Sequence, residues 1–127
     1  MFRTLTKVTC FKTGTCQQPV GVEDGRITDS QLKASSEHDS NHGVTNARLN
    51  RPAQSGTTGA WSAKTNDANQ WIQADLGFQQ SVAGVMLQGR QDGPQWVTKF
   101  KVQYSDDGVN WKYVQQTNNQ GEMVSLK

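Results

Sequence analysis

Hydrophobic and polar residues alternate in several short stretches of the chain, which is the pattern of half-buried β-strands. In residues 70–77 (QWIQADLG) the apolar side chains fall on one face, and Gln73 and Asp75 fall on the other. The same kind of pattern predicts two more strands, in residues 31–36 (QLKASS) and 82–89 (VAGVMLQG).

A β-hairpin is predicted for residues 99–114. Phe100, Val102 and Tyr104 alternate with polar residues before SDDG, a strong turn signal, and Trp111 and Tyr113 continue the alternation after it. The tail, residues 115–127, contains another turn and one more strand-like run.

No segment has the 3.6-residue periodicity of an amphipathic helix, and the chain shows neither an internal repeat nor a low-complexity tract. Short strands separated by turn signals predict an all-β sandwich or barrel. Residues 36–59 are dense in Ser, Asn, Gly and Thr, which predicts loops. Residues 47–50 (ARLN) could form a short ordered segment within them. Loops at one end of such folds commonly carry binding.

Composition narrows the class of protein. The chain has 127 residues, which suits one domain, and only 33% are hydrophobic, which predicts a small core. No apolar stretch approaches the roughly 20 residues that span a bilayer, and the first residues are too polar for a secretory signal.

The charge is unevenly distributed along the chain. Residues 1–15 carry three basic and no acidic side chains, whereas the remainder carries 10 basic and 11 acidic ones out of totals of 13 and 11. The basic surplus therefore belongs to an N-terminal extension, residues 1–15. A nearly neutral body argues against nucleic acid as a partner.

Cys10 and Cys16 are the only cysteines, and their spacing is not a zinc pattern. They could form a disulfide with each other, or one could pair with a cysteine outside this chain.

The order and spacing of several motifs resemble the discoidin domain, also called the coagulation factor V/VIII type C domain. The matching stretches cover about residues 16–114: CQQPVGVEDGRITDSQLKASS, ARLN, AWSAKTNDANQWIQADLG, GVMLQGR and WVTKFKVQYSDDGVNW. The resemblance implies a discoidin-type jelly-roll β-sandwich or distorted barrel over residues 16–127. It also implies a secreted, non-catalytic recognition module with three loops projecting from one end, at residues 36–47, 51–60 and 90–97.

The family pattern continues past the position of Lys127, with closing strands and a cysteine that pairs with the one matching Cys16. The resemblance therefore implies a domain that is incomplete at its C-terminus and lacks its last strands.

The third loop carries Arg90, Asp92 and Trp96. Sugars offer hydroxyls that suit charged bidentate groups and C–H faces that stack on aromatic rings, and these three residues supply both. A structural alternative is that Arg90 pairs with a carboxylate to pin the loop. Likewise, Trp96 could plug the end of the barrel, since large aromatic rings are mostly buried.

The first loop carries His38, Asp39, Asn41 and His42, which would form the hydrogen-bonding tip of a binding loop. The two histidines are four residues apart, but the stretch lacks H-E-x-x-H, so no metal site is predicted. The resemblance brings in a structural Ca²⁺, which some members of that family hold; Asp39 could serve as a ligand, but no dense ligand set is present. No other cofactor is predicted.

Other aromatic residues are expected to pack in the core or on sheet faces: Trp61, Trp71, Trp111, Phe78, Phe100 and Tyr104. Ser35, Ser36, His38 and Asp39 include the residue types of a catalytic triad. Neighbours in sequence rarely align for that chemistry, however, and no nucleophile elbow is present, so an enzyme is not predicted.

The leading hypothesis is an extracellular module that binds cell-surface or matrix glycans and supports cell adhesion. The second is an anionic-membrane module that binds phosphatidylserine, although Val44 is the only large apolar residue in the first two loops. The third is a protein–protein adhesion module, with a receptor as partner, within a larger secreted protein. Weak binding modules gain strength by multivalency, so a homo-oligomer or tandem domains are expected.

Overall fold

The computed structural model describes residues 7–10, 18–80 and 82–114. Seven short β-strands lie in these segments: β1 Lys7–Cys10, β2 Gln18–Pro19, β3 Leu32–Ala34, β4 Ile72–Ala74, β5 Val82–Met86, β6 Gln103–Tyr104 and β7 Lys112–Tyr113. Three single-turn 3-10 helices accompany them, at Asp29–Gln31, Ser40–His42 and Val44–Ala47. The described part of the chain is thus dominated by strands and loops, as the hydrophobic pattern predicts.

The strands form three small antiparallel sheets. The largest has the order β2-β1-β5, while β3 pairs with β4 and β6 pairs with β7. In the second sheet Leu32 lies opposite Ala74, and Ala34 lies opposite Ile72. This register turns the apolar positions of both strands toward the same side, because side chains alternate between the two faces of a sheet.

The core is small and lies against that second sheet. Its buried members come from strands, loops and 3-10 turns: Val22, Ile27, Leu32, Val44, Ala47, Trp61 and Ile72. Ile72 is the most buried of these, at 1% exposure, which agrees with the strong alternation around it. Trp61 also donates an Nε1–H hydrogen bond to the carbonyl oxygen of Ser36, so its polar edge is satisfied inside the core.

Arg48 is a buried cation that ties loop backbone to the core. Its guanidinium donates to the carbonyl oxygens of Val22 and Ile27 and forms an ion pair with Asp29. The Arg48 side chain is 8% exposed, whereas Asp29 remains mostly in solvent. The ARLN motif therefore contributes a structural Arg that satisfies two buried carbonyl groups.

The aromatic residues differ from the expectation that all of them pack in the core or on sheet faces. Trp61 is buried, and Trp71 and Phe100 are half-buried. Three others are exposed: Phe78 at 72%, Tyr104 at 50% and Trp111 at 36%. The physical reason for Tyr104 and Trp111 is that their hairpin is a two-stranded sheet, and little of the described chain covers its faces.

The N-terminal segment also differs from a simple extension. Lys7–Cys10 forms the central strand of the three-stranded sheet, between β2 and β5. The basic composition of residues 1–15 therefore gave no sign that Lys7–Cys10 pairs with two other strands. The strand expected in the tail, residues 115–127, the final closing strands and the pairing of Cys16 lie outside the described residues.

Candidate functional site

Hydrogen bonds join the three loops expected to form one binding end. The Asn41 carbonyl oxygen in the first loop accepts from the Thr58 backbone N–H at 2.9 Å and from the Thr58 hydroxyl at 3.0 Å. The Ala53 N–H in the second loop donates to Gln91 Oε1 in the third loop at 2.9 Å. Because each loop contacts the next, residues far apart in sequence share one surface.

The first loop is organised around Asp39. Its carboxylate accepts hydrogen bonds from the Asn41 backbone N–H at 2.8 Å and from His42 Nδ1 at 2.6 Å, capping the 3-10 turn at Ser40–His42. The His42 hydrogen bond, followed by the Asn41 backbone bond, lowers the pKa of Asp39 below its usual range. Asp39 is therefore an ionised acceptor at neutral pH, and it holds the His42 ring in one orientation.

A second carboxylate, that of Glu37, binds the backbone at the end of this loop. Glu37 Oε1 accepts a 2.6 Å hydrogen bond from the Val44 backbone N–H, and Val44 is buried in the core cluster at 9% exposure. The large apolar residue that could have marked a membrane-inserting tip is therefore part of the core.

The second loop requires a glycine at one position. Its tip is a tight turn in which Gln54 and Thr57 exchange backbone hydrogen bonds of 3.0 Å in each direction. At its base, a Cβ on Gly59 would collide with the Arg51 carbonyl oxygen and would lie 3.0 Å from the Ala53 nitrogen. Only glycine lets the two arms of the loop approach this closely.

The third loop is held by Arg90. Its Nε and Nη2 donate to the two oxygens of Asp92 at 2.6 and 3.0 Å, and its Nη1 donates to Gln95 Oε1 at 2.9 Å. The Arg90 N–H also donates to the Gln95 carbonyl oxygen at 2.9 Å. The paired charges raise the pKa of Arg90 and lower the pKa of Asp92, in each case mainly through this side-chain hydrogen bond.

Arg90 also reaches the first loop. Its Nη1 lies 3.3 Å from His42 Nε2, so a continuous row of side chains runs from Asp39 through His42 and Arg90 to Asp92. His38 adds an edge-to-face contact with the His42 ring, at a centroid distance of 5.2 Å. The row therefore links two loops, and the two residues that meet, His42 and Arg90, are 48 positions apart in the sequence.

An open cleft of about 770 Å³ lies beside this row. It is lined by His38 and His42, by Arg90 and by residues 94–99. A further part of the lining, residues 60–63 and 65–67 with Gln70, was not among the predicted site residues. Its polar sequence between two tryptophans, SAKTNDANQ, was the signal that could have indicated a fourth binding loop.

The predicted site residues take two different positions. His38, His42, Arg90 and Trp96 line the cleft. Asp39, Asn41 and Asp92 do not line it: the two carboxylates hold His42 and Arg90, and the Asn41 carbonyl oxygen holds the second loop.

The structural alternatives for the third loop have opposite outcomes. Arg90 pairs with a carboxylate and pins its own loop, as one alternative stated. Trp96 does not plug the barrel end, because it is 62% exposed. Trp96 therefore presents apolar ring surface to solvent beside the cleft that it lines.

A second hollow, of about 450 Å³, lies beside Arg48 and is lined by acidic side chains and Arg51. Arg48 and Asp29 are already paired there, so the hollow has a structural explanation. Within the described residues, no three His, Cys, Asp or Glu side chains are grouped so that they could hold a metal ion. In the same part of the chain, no helix has the length and apolar character of a membrane span.

Comparison with known proteins adds a family likeness. A family model described as the F5/8 type C domain matches residues 31–126. The chain is 39% identical to lactadherin of Mus musculus over 105 residues, which cover 76% of this chain and 22% of the relative. It is 35% identical to retinoschisin of Homo sapiens over 121 residues, covering 90% and 53%, respectively.

A third relative, coagulation factor V of Mus musculus, is 39% identical over 115 residues, which cover 86% of this chain and 5% of that protein. The chain thus spans about half of the length of retinoschisin and much less of the other two.

Proposed function

Because the chain belongs to the F5/8 type C domain family, we propose that it is a non-catalytic extracellular recognition module whose three-loop cleft binds cell-surface or matrix glycans. In this proposal the described sheets belong to a discoidin-type jelly roll, and the module supports cell adhesion. Glycan binding at this cleft is supported by one observation above all, the exposed Trp96 beside a wall of polar side chains.

Trp96 has the properties of a sugar-stacking platform. A tryptophan that is 62% exposed keeps an apolar ring face in water, and covering that face is favourable. Sugar rings present C–H groups that can cover an aromatic face while their hydroxyls remain available for hydrogen bonds. The cleft is also of the size that suits a small ligand, since such sites are typically about 300–1,000 Å³.

Polar groups around the ring would orient the sugar. His38 and Gln95 from the loops and Asn66 from the segment after Trp61 all line the cleft. Their donors and acceptors can exchange hydrogen bonds with hydroxyl groups, which both donate and accept. We assign specificity among sugars to this set.

Arg90 has a double role in the proposal. A guanidinium has five N–H donors, and four of them point at Asp92, Gln95 and His42. One donor remains for a ligand, and the other four hold the side chain in place. Asp92, Asp39 and Asn41 then act as positioning residues that keep the cleft walls in their arrangement.

A glycan-array screen of folded protein tests this function, with Ca²⁺ and with a chelator in parallel. Selective binding to one class of sugar would support the proposal, and the chelator arm would reveal any role of Ca²⁺. Absence of binding by a folded sample would contradict it.

Binding to anionic membranes is the second candidate, and one observation favours it: Trp96 and Pro94 are neighbouring exposed residues at the edge of the third loop. The burial of Val44 counts against it, because the first loop then offers no large apolar side chain for insertion. One inserted ring is a weak anchor, since stable attachment generally needs a second signal. Sedimentation with vesicles of phosphatidylcholine, with and without phosphatidylserine, separates the candidates. The glycan proposal predicts little binding to either vesicle.

A further inference from the structure

We infer that residues 62–70, the segment between Trp61 and Trp71, form the specificity-determining loop of the cleft, in the place that the family resemblance gives to residues 51–60. This assignment rests on the proposed function, because it concerns ligand contacts in the same cleft. It goes further by identifying the side chains at the tip of the segment that would contact the ligand and the pair of side chains that positions them.

The lining of the cleft favours residues 62–70 over the predicted second loop. The segment contributes Ser62, Ala63, Thr65, Asn66, Asp67 and Gln70. Of residues 51–60, all of which the structure describes, only Ala60 lines the cleft. The tip of the second loop instead closes on itself through the two backbone hydrogen bonds between Gln54 and Thr57. A ligand in the cleft would therefore contact the segment after Trp61 rather than the tip of the second loop.

The start of the segment is fixed to the first loop by backbone hydrogen bonds. The His38 N–H donates to the Ser62 carbonyl oxygen at 2.8 Å, and the Ser62 N–H donates to the His42 carbonyl oxygen at 3.2 Å. Two residues later, the Lys64 N–H donates to Ser36 Oγ at 3.1 Å. The segment therefore begins its path along the cleft beside two of the predicted site residues, His38 and His42.

Gln70 fixes the end of the segment with both polar atoms of its amide. Its Oε1 accepts from the hydroxyls of Ser35 at 2.8 Å and Ser36 at 2.6 Å. Its Nε2 donates to Asp67 Oδ1 at 3.0 Å, and the same oxygen accepts from the Asn69 N–H at 2.7 Å. Because a carboxylate only accepts, the NH2 group of Gln70 must be the side that faces Asp67. Gln70 thus joins the segment to the residues that enter the first loop.

Between these two anchors, the tip of the segment keeps its polar groups available. Thr65 and Asn66 are exposed and line the cleft, and within the described residues neither side chain has a hydrogen-bond partner. A hydroxyl and an amide together supply donors and acceptors without a charge. Since both ends of the segment are held, little further ordering is needed on binding. Hydrogen bonds are directional, so these two side chains would distinguish ligands of equal size by where their hydroxyl or amide groups lie.

A comparison of two exposed amide side chains tests the ligand contact. Asn66→Ala removes the amide at the tip of the segment, and Gln54→Ala removes one at the tip of the second loop, which does not line the cleft. Asn66→Ala should lose about fivefold in affinity for the best array glycan, the equivalent of one hydrogen bond, and should change the rank order of glycans on the array. Thr65→Ala should change the rank order as well, and Gln54→Ala should match the wild type.

An exchange of roles tests the positioning pair. Gln70→Glu keeps an acceptor for both serine hydroxyls but places a second carboxylate against Asp67, so the segment should loosen and affinity should fall roughly fivefold. Adding Asp67→Asn restores a donor–acceptor pair with the roles reversed, and the new amide oxygen can still accept from the Asn69 N–H. The double variant should recover the affinity and rank order of the wild type. Thermal unfolding of every variant reports whether the fold is kept.

The possible results separate this assignment from the proposed function. A folded wild-type protein that binds no array glycan would overturn both. Glycan binding by the wild type, with an unchanged affinity and rank order in folded Asn66→Ala, would overturn the assignment alone. Failure of Asp67→Asn to restore binding in the Gln70→Glu background would also contradict it. An equal change of rank order in Gln54→Ala would return the role to the second loop.

Discussion

Gly89 lies directly against Trp96 at the base of the third loop. A Cβ placed on Gly89 would be 3.1 Å from the Trp96 Cβ and 3.3 Å from the Gln95 carbonyl oxygen. The absence of a side chain at Gly89 therefore sets the position of the exposed ring that we propose stacks on sugars.

Substituting Gly89 with Ala should displace Trp96 and weaken glycan binding while the fold persists. Overpacking in a closed core costs about 1–3 kcal/mol, and an open loop can relax and lose less. Isothermal titration calorimetry measures the binding, and thermal unfolding measures the stability. Gly84→Ala is the matched control, since nothing lies within 4 Å of a Cβ at that position. Equal glycan affinity in the Gly89 and Gly84 variants would show that binding does not depend on the position of Trp96.

Replacing Arg90 and Asp92 together by Ala should abolish glycan binding. The double substitution removes both charges of this half-buried pair together, and neither residue belongs to the core cluster, so the protein should remain folded. The array signal and the far-ultraviolet circular dichroism spectrum report the two effects.

The control for this double variant is a second Arg–Asp pair with the same spacing. Arg26 and Asp24 form an exposed ion pair of 2.9 Å that does not line the cleft beside Trp96. Its double Ala variant should bind normally. If the folded Arg90/Asp92 variant also bound normally, these two residues would have no part in the site.

The Asp107 turn should loosen in acid. The Asp107 carboxylate accepts from the Asn110 backbone N–H at 2.7 Å, from the Asn110 side-chain amide at 2.7 Å and from the Val109 backbone N–H at 2.8 Å, and these bonds lower its pKa well below the usual 3.8. Because the folded pKa is depressed, the stabilisation is fully present above about pH 4 and is lost as the pH falls through the folded pKa.

NMR shifts of the Val109 and Asn110 amides during acid titration measure this loss. Asp107→Asn should show the loosened turn already at neutral pH, whereas Asp106→Asn should resemble the wild type. Amide shifts in Asp107→Asn that match the wild type throughout would refute this account of the turn.

Arg48→Ala should destabilise the fold more than most substitutions of charged residues. It would leave the Val22 and Ile27 carbonyl oxygens without their donor. An unsatisfied buried group costs about 1–3 kcal/mol, so a loss of about 2–4 kcal/mol in the free energy of unfolding is expected. Urea unfolding provides the measurement, and Arg51→Ala, three residues along, is the control. A similar, small loss for both variants would contradict a structural role for Arg48.

The strands and turns were predictable because their signals are local. Ile72 sits in a clear alternation and is buried in β4, and the residues after Tyr104 contain the Asp-Gly signal that closes the β6–β7 hairpin. The three loops were likewise evident from composition and from the family resemblance. These features depend on neighbours in the chain, which a sequence displays directly.

The contacts that shape the site were not predictable from such patterns. Residues 42 and 90 meet across 48 positions, and the Asn41–Thr58 contact depends on how two loops fold back. Burial of Trp96 was the natural alternative for a tryptophan near a strand, but the loop turns its ring outward. Tertiary packing determines these loop contacts and the orientation of the Trp96 ring, and no local sequence pattern predicts tertiary packing.

The most direct test of the account compares two tryptophans. Trp96 lines the cleft and is 62% exposed, whereas Trp111 is 36% exposed on the hairpin and does not line it. Affinity for the best array glycan should be measured by calorimetry for wild type, Trp96→Ala and Trp111→Ala. The account predicts at least a tenfold loss for Trp96→Ala, as expected when the burial of an apolar ring face worth about 1.4 kcal/mol or more is lost, and near-normal binding for Trp111→Ala. Full affinity in a folded Trp96→Ala protein would contradict the proposed site.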